Sequence, residues 1–280
     1  MGKMKKTIVL ISGISLTLFL GGCSEFDGIV SKIPFVNQND NQAAPKDIEP
    51  TEEEQKPTEE TQESPEPKLE SQFFNEIEEV DGKSIIQNPL NILSLVNKQF
   101  ALPDYYAPED LVRPNVAFSF GNLDIEKSYM RKEAAKHLEI MLDAAKKENI
   151  EIFAVSGYRS YERQKSVFDA KVSEAGVVAA SEVVAVPGYS EHQTGLAMDV
   201  SSRSVNLELI EEFGETVEGK WLANNAHKFG FIVRYPLGKE DITGYQYEPW
   251  HFRYVGVQAA TVIFEKDITL EEYFDIVEKI

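Results

Sequence analysis

The chain holds four histidines among 280 residues: His137, His192, His227 and His251. Two of them keep company with carboxylates at suggestive spacing. The first stretch reads Pro187-Gly-Tyr-Ser-Glu-His192-Gln-Thr-Gly-Leu-Ala-Met-Asp199, and the second reads Glu248-Pro-Trp-His251. A carboxylate and an imidazole that converge on one open surface are candidate zinc ligands, and three protein ligands with an open fourth position describe a catalytic site. Such an ion lowers the pKa of its bound water to about 7 and polarises a scissile carbonyl. A carboxylate near the ion but not bound to it can move the water's proton to the leaving amine. Glu248 is the candidate for that role, with His192, Asp199 and His251 as ligands. Taken singly, Glu-x-x-His and an Asp seven residues after a His are weak signals.

Those side chains need elements to aim them. Residues 195–201 read as a strand with Leu196, Met198 and Val200 on one face and Ala197, Asp199 and Ser201 on the other. The small neighbours leave room above Asp199. Pro249 biases Glu248 away from helix, and in the strand over 250–255 Trp250, Phe252 and Tyr254 share one face while His251 and Arg253 share the other. His251 can therefore leave the apolar side and meet the first cluster. Upstream, Met130, Ala134, Leu138, Met141, Leu142 and Ala145 recur at helical steps, predicting a helix over 128–149. A strand buried on both faces is expected over 151–156, and a helix capped by Ser160 should run to about Glu174 with Gly176 beyond its end. A helix over 217–229 should stop at Gly230, a strand should cover 231–235, and two short helices should close the chain. This order, without regular βαβ alternation, predicts an α+β fold with a largely antiparallel sheet. The zinc site should lie in a cleft on that sheet. His137 and His227 read as structural, the latter in the last turn of a helix where positive charge is favoured.

Read together, the motifs resemble the VanY-type D-alanyl-D-alanine carboxypeptidases, a family that also includes L,D-carboxypeptidases and D,D-dipeptidases. Its pattern Ser-x-His-x-x-Gly-x-Ala-x-Asp is met by Ser190, His192, Gly195, Ala197 and Asp199, followed by Glu248 and His251. Its upstream Ser-Gly-Tyr-Arg-Ser is met by Ser156 to Ser160, with Gln164 following. The resemblance covers roughly residues 85–265. It implies one zinc ion on His192, Asp199 and His251, with Glu248 as base. It also implies substrate contact by Arg159, with Gln164 and Ser190 as helpers. A planar guanidinium suits this because it can grip a carboxylate or a polarised carbonyl through two hydrogen bonds. Tyr189, Trp250 and Tyr235 are open between pocket lining and core. The implied activity is removal of the terminal D-Ala from peptidoglycan stem peptides by a D,D-carboxypeptidase. The alternatives are an L,D-carboxypeptidase on tetrapeptide stems, a crosslink endopeptidase and a non-catalytic zinc-containing wall-binding domain.

The first residues supply an address. A basic Met-Gly-Lys-Met-Lys-Lys start precedes an apolar run from Thr7 to Leu20, the form of an export signal. The run ends Leu20-Gly21-Gly22-Cys23, which resembles a bacterial lipobox. Residues 1–22 are therefore expected to be a lipoprotein signal peptide, and Cys23 the lipidated anchor to the outer face of the cell membrane. Cys23 is the single cysteine, so no internal disulfide and no cysteine-based metal site can form. Residues 40–79 carry 14 Asp or Glu against three Lys. From about Asn37 to Glu70 this acidic, proline-bearing stretch is expected to be a disordered spacer, giving a linker over 23–80 and a zinc carboxypeptidase domain over 81–280. The formal net charge of −19 excludes nucleic acid as a partner. A monomer is expected.

Overall fold

A computed structural model describes residues 67–280, and the described fold begins at Pro67 rather than at the expected residue 81. Strand β1 (Lys68–Leu69) pairs in parallel with β11 (Glu278–Lys279) at the far end of the chain. Strands β2 (Ile77–Val80) and β3 (Lys83–Ile86) form a hairpin whose turn, Asp81-Gly82, has φ of 52° and 75°, the left-handed geometry that two-residue hairpins require. All four residues of β2 are exposed. A solvated edge strand carries the same acidic composition as a spacer, which is why composition places the boundary too late. Strand β4 (Phe100–Ala101) completes this small sheet beside β3.

The sheet that matters for chemistry has four antiparallel strands: β7 (Phe153–Ser156), β8 (Ala197–Ser201), β9 (Phe231–Val233) and β10 (His251–Tyr254), in the order β7-β8-β10-β9. The fold is α+β as the sequence predicts. Helix α1 (Lys132–Lys147) packs on the sheet through Ala134, Ala135, Leu138, Met141, Leu142 and Ala145. These meet Leu196, Met198, Val200, Phe252 and Tyr254 from β8, β10 and the approach to β8. The expected alternation along both strands is thus realised, with the polar residues on the opposite face.

The first helix starts later than the periodicity predicts. Ser128 turns its hydroxyl back to the Ile125 carbonyl at 2.6 Å. Met130–Arg131 (β6) instead pairs with Leu111–Val112 (β5). Met130 is fully buried either way, so the apolar pattern alone does not separate the two. Helix α2 (Tyr161–Ala175) is capped by Ser160, whose hydroxyl accepts the Arg163 N–H at 3.3 Å. It runs into a short helix α3 (Val177–Val183) that the sequence reading does not anticipate. The helix expected over 217–229 divides into α4 (Val217–Asn225) and a 3-10 turn (Ala226–Phe229). A single turn, α5 (Glu240–Thr243), precedes β10. The two closing helices are α6 (Val257–Lys266) and α7 (Leu270–Ile276), over a second apolar cluster that includes Ile232, Val255, Ile263, Leu270 and Tyr273.

Leu138 is fully buried where α1 meets the sheet. Truncation there removes transfer energy and leaves a cavity. Leu138→Ala is expected to cost about 2–5 kcal/mol, read as a lower denaturant midpoint with an unchanged slope.

Candidate active site

Register brings the candidate ligands together. In the pairing of β8 with β10, His251 lies directly opposite Asp199, and Arg253 lies opposite Ala197. Directly opposed side chains have Cβ atoms about 4.5–5.5 Å apart. On the other side of β8 the pairing with β7 is interrupted by a bulge between Ala154 and Ser156, so that Ser156 falls opposite Asp199. A bulge inserts one extra residue and re-aims the side chains beyond it. Here it turns Ser156 toward the site and launches Gly157, Tyr158 and Arg159 across it. The third ligand comes from the 3-10 turn Glu191–Thr194, which leads into β8 through Gly195 in the left-handed region at φ 68°.

The potential ligand atoms of His192, Asp199 and His251 all lie within 4.8 Å of one another, and all three residues are buried. Asp199 Oδ1 is 2.8 Å from His251 Nδ1, and Oδ2 is 3.3 Å from His192 Nε2. Each ring is fixed by its outer nitrogen. His192 Nδ1 donates to the Gly157 carbonyl at 2.8 Å, and His251 Nε2 lies 3.3 Å from Glu191 Oε2. With the outer nitrogens acting as donors, the inner nitrogens present lone pairs to the Asp199 carboxylate. Lone pairs facing a carboxylate call for a cation between them, either a proton or a metal ion. Outer partners of this kind fix the tautomer and orientation of metal-binding histidines. The two-nitrogen, one-oxygen donor set therefore fits a divalent ion. The cluster is able to hold one metal.

The electrostatics agree. Burial penalises the Asp199 carboxylate, but the His192 and His251 rings that it faces hold it well below the usual carboxylate range. Burial lowers the His192 pKa, with Asp199 opposing. Burial also works against charge on His251, yet its hydrogen bonds to Asp199 and Glu191 raise it to about 10. Glu248 approaches His251 Nδ1 at 4.0 Å. Desolvation raises its pKa to about 7, with His251 opposing and Asp199 assisting. A carboxyl poised there suits general acid–base work near neutrality.

The cleft around these groups is a cavity of about 270 Å³ that also includes Arg159, Gln164, Ser190, Tyr235 and Trp250. Arg159 donates to Gln164 Oε1 at 2.9 Å and to Ser156 Oγ at 3.2 Å. Gln164 in turn donates to the Ala185 carbonyl at 2.6 Å. The guanidinium is thus held in place at the cleft. Tyr235 stacks on His251 with ring centroids 5.1 Å apart. Tyr189, a candidate for lining the pocket, is not part of this cleft: it lines a neighbouring hollow with Tyr161 and Pro187. Ser190 has extended backbone, φ −96° and ψ 128°, and neighbouring side chains of an extended segment point to opposite sides. His137 contacts the Phe229 carbonyl and His227 stacks on Phe264; neither belongs to the metal cluster. Sequence reasoning missed Tyr245, Leu209 and, above all, Glu191. Its position beside His192 in the motif was the available signal.

The profile of the VanY D-alanyl-D-alanine carboxypeptidase family matches residues 127–257. YodJ of Bacillus subtilis (strain 168), provisionally named a carboxypeptidase, is 54% identical over the whole of both chains. The structure of the LdcB LD-carboxypeptidase is 63% identical, covers 76% of this chain and 99% of its own, and superposes with a TM-score of 0.74. A Zn(II) complex of the vancomycin-resistance D,D-pentapeptidase VanY from a VanB-type cassette is 37% identical over 65% of this chain and 98% of its own, with a TM-score of 0.53. The chain belongs to the VanY family. It is a metallopeptidase of the carboxypeptidase class.

A ligand that binds only the folded state stabilises it, by about 2.7 kcal/mol at a hundredfold excess over Kd. Zinc added to chelator-treated protein is therefore expected to raise its melting temperature. In Asp199→Ala that rise should vanish, as differential scanning calorimetry would report.

Proposed function

We propose that the protein is a zinc carboxypeptidase that removes the terminal D-Ala from peptidoglycan stem peptides. The observation that carries this reading is the convergence of His192, Asp199 and His251 in a cleft that also holds Glu248 and Arg159. His192, Asp199 and His251 would hold the zinc ion, which would supply Lewis acidity toward a water and the scissile carbonyl. Glu248 accepts the proton of that water and delivers it to the departing amine. Arg159, held by Gln164 and Ser156, offers its free N–H groups to the substrate's terminal carboxylate or to the carbonyl under attack. Trp250 and Tyr235 line the cleft beside these groups. The presence of Glu248 speaks against a silent wall-binding domain.

Between the two stereochemical branches, tetrapeptide stems are favoured. The 63% identity with an LD-carboxypeptidase supports them more strongly than the 37% identity with a D,D-pentapeptidase supports pentapeptide stems. Purified protein with zinc should release one alanine from tetrapeptide muropeptides, as mass spectrometry would show; release from pentapeptides alone would move the assignment to the D,D branch. Glu248→Ala should lower turnover by about 10²- to 10⁴-fold with zinc still bound. Full activity in that variant would refute the proton-transfer role.

The lipobox-like Leu20-Gly21-Gly22-Cys23 supports attachment to the outer face of the cell membrane. These residues, like the spacer before Pro67, lie outside the described residues. Multiple acyl chains give stable anchoring where one gives only marginal binding. Cys23→Ser is expected to move the protein from the membrane fraction to the medium; unchanged membrane retention would contradict a lipid anchor.

A further inference from the structure

Beneath the metal cluster lies a chain of buried charges that the hydrolytic reading does not use. The side chains of Glu191, Arg234 and Arg253 have no solvent exposure, and that of Glu271 has 14%. Glu191 Oε1 accepts from Arg234 Nε at 2.8 Å and from Arg253 Nη1 at 2.6 Å. Arg234 spends its two remaining nitrogens on Glu271, at 2.8 and 2.6 Å. Arg253 Nη2 donates to the Ile92 and Ser94 carbonyls at 3.0 and 2.9 Å. That leaves Glu191 Oε2 for one partner, His251 Nε2.

Three buried charges and a partly buried fourth are costly to assemble, and apolar residues of the same volume often hold a fold equally well. Stability alone therefore gives no reason for this arrangement. Its geometry gives one: two guanidinium groups hold one oxygen of Glu191 in place, and the other oxygen lies against His251 Nε2 and so orients that ring with Nδ1 toward the cluster. The anchor of the chain is Glu271, on α7. That helix and the loop carrying Ile92 and Ser94 both lie outside residues 127–257, the part matched to the family.

We propose that Glu271 is a positioning residue for the metal site, acting through Arg234 and Glu191 to hold His251 with Nδ1 toward the ion. The terminal segments outside the family-matched part thereby set metal affinity. This rests on the zinc reading above. In Glu191→Gln the amide oxygen would stay with the two arginines, turning an NH₂ donor toward His251 Nε2. That arrangement favours the tautomer with the proton on Nδ1, which cannot bind metal.

The test uses the full chain, with zinc affinity measured by competition against a chromogenic chelator and ligand geometry read from the visible bands of the cobalt(II)-substituted protein. Loss of such an outer partner typically weakens metal binding about 10- to 100-fold, and Glu191→Gln is expected to fall in that range with altered cobalt bands. Glu271→Gln should weaken zinc binding roughly 2- to 30-fold. Glu272→Gln is the control. Glu272 caps the same helix with Thr269 and pairs with Lys239 at 3.1 Å, away from the relay. The substitution should remove the Lys239 ion pair on the same helix while leaving Glu271 in place, and with it zinc affinity unchanged. If Glu191→Gln fails to fold, the two α7 variants decide. Unchanged affinity and cobalt bands in Glu271→Gln, or equal weakening in Glu272→Gln, would overturn the relay. A wild-type chain that takes up no zinc would overturn the zinc reading and the relay with it, whereas normal uptake by the wild type with no response to Glu271→Gln would overturn the relay alone.

Discussion

Asp199 faces His251 across the antiparallel pairing of β8 with β10, and the rest of the cleft depends on that register. A slip of one residue would exchange the two faces of the strand. It would drive Asp199 into the apolar layer under α1 and bring Met198 into the cleft. The register is secured from the apolar side, where Leu196, Met198, Val200, Phe252 and Tyr254 pack together. The core thus fixes the chemistry: the hydrophobic alternation of two strands sets the position of a carboxylate and an imidazole on their common polar face.

The second constraint is desolvation. All three candidate ligands are buried, and a buried carboxylate between two imidazoles requires positive charge. Outer hydrogen bonds to Gly157 and Glu191 commit the rings to orientations in which a metal ion can supply it. Gly157 has a steric reason of its own. A Cβ there would meet Met198 Cε at 2.8 Å and press on the Tyr129 carbonyl, so only glycine lets this backbone approach closely enough for its carbonyl to reach His192. Burial also separates the carboxyls by role. Asp199 stays ionised between its histidines while Glu248, desolvated and less well compensated, is raised to about 7.

Much of this was legible in the sequence, for a definable reason. Strand alternation and helical steps report burial directly, so the faces of β8 and β10, the apolar side of α1 and the Ser160 cap follow from the residues themselves. The ligand motif is local on both sides, which made its three members recognisable. What escaped depends on contacts distant in the chain. The β1 pairing with β11 joins Lys68 to Glu278, and nothing in either dipeptide signals it. Met130 and Arg131 pair with Leu111 and Val112 although they continue a helical pattern. Glu191 reads as one more acidic loop residue until folding brings Arg234 and Arg253 onto it from separate strands. Tyr189 fails for the opposite reason: it adjoins Ser190 in sequence, but in extended backbone adjacent side chains point to opposite sides.

The most direct test of the metal site is zinc K-edge X-ray absorption on the metal-loaded protein. Three protein ligands predict a first shell of two imidazole nitrogens at about 2.0–2.1 Å and carboxylate oxygen at about 2.0–2.2 Å, with one ion per chain. Substitution of His251 should remove one imidazole from that shell. A shell without imidazole scattering, or one that is unchanged when His251 is replaced, would contradict a zinc ion held by His192, Asp199 and His251.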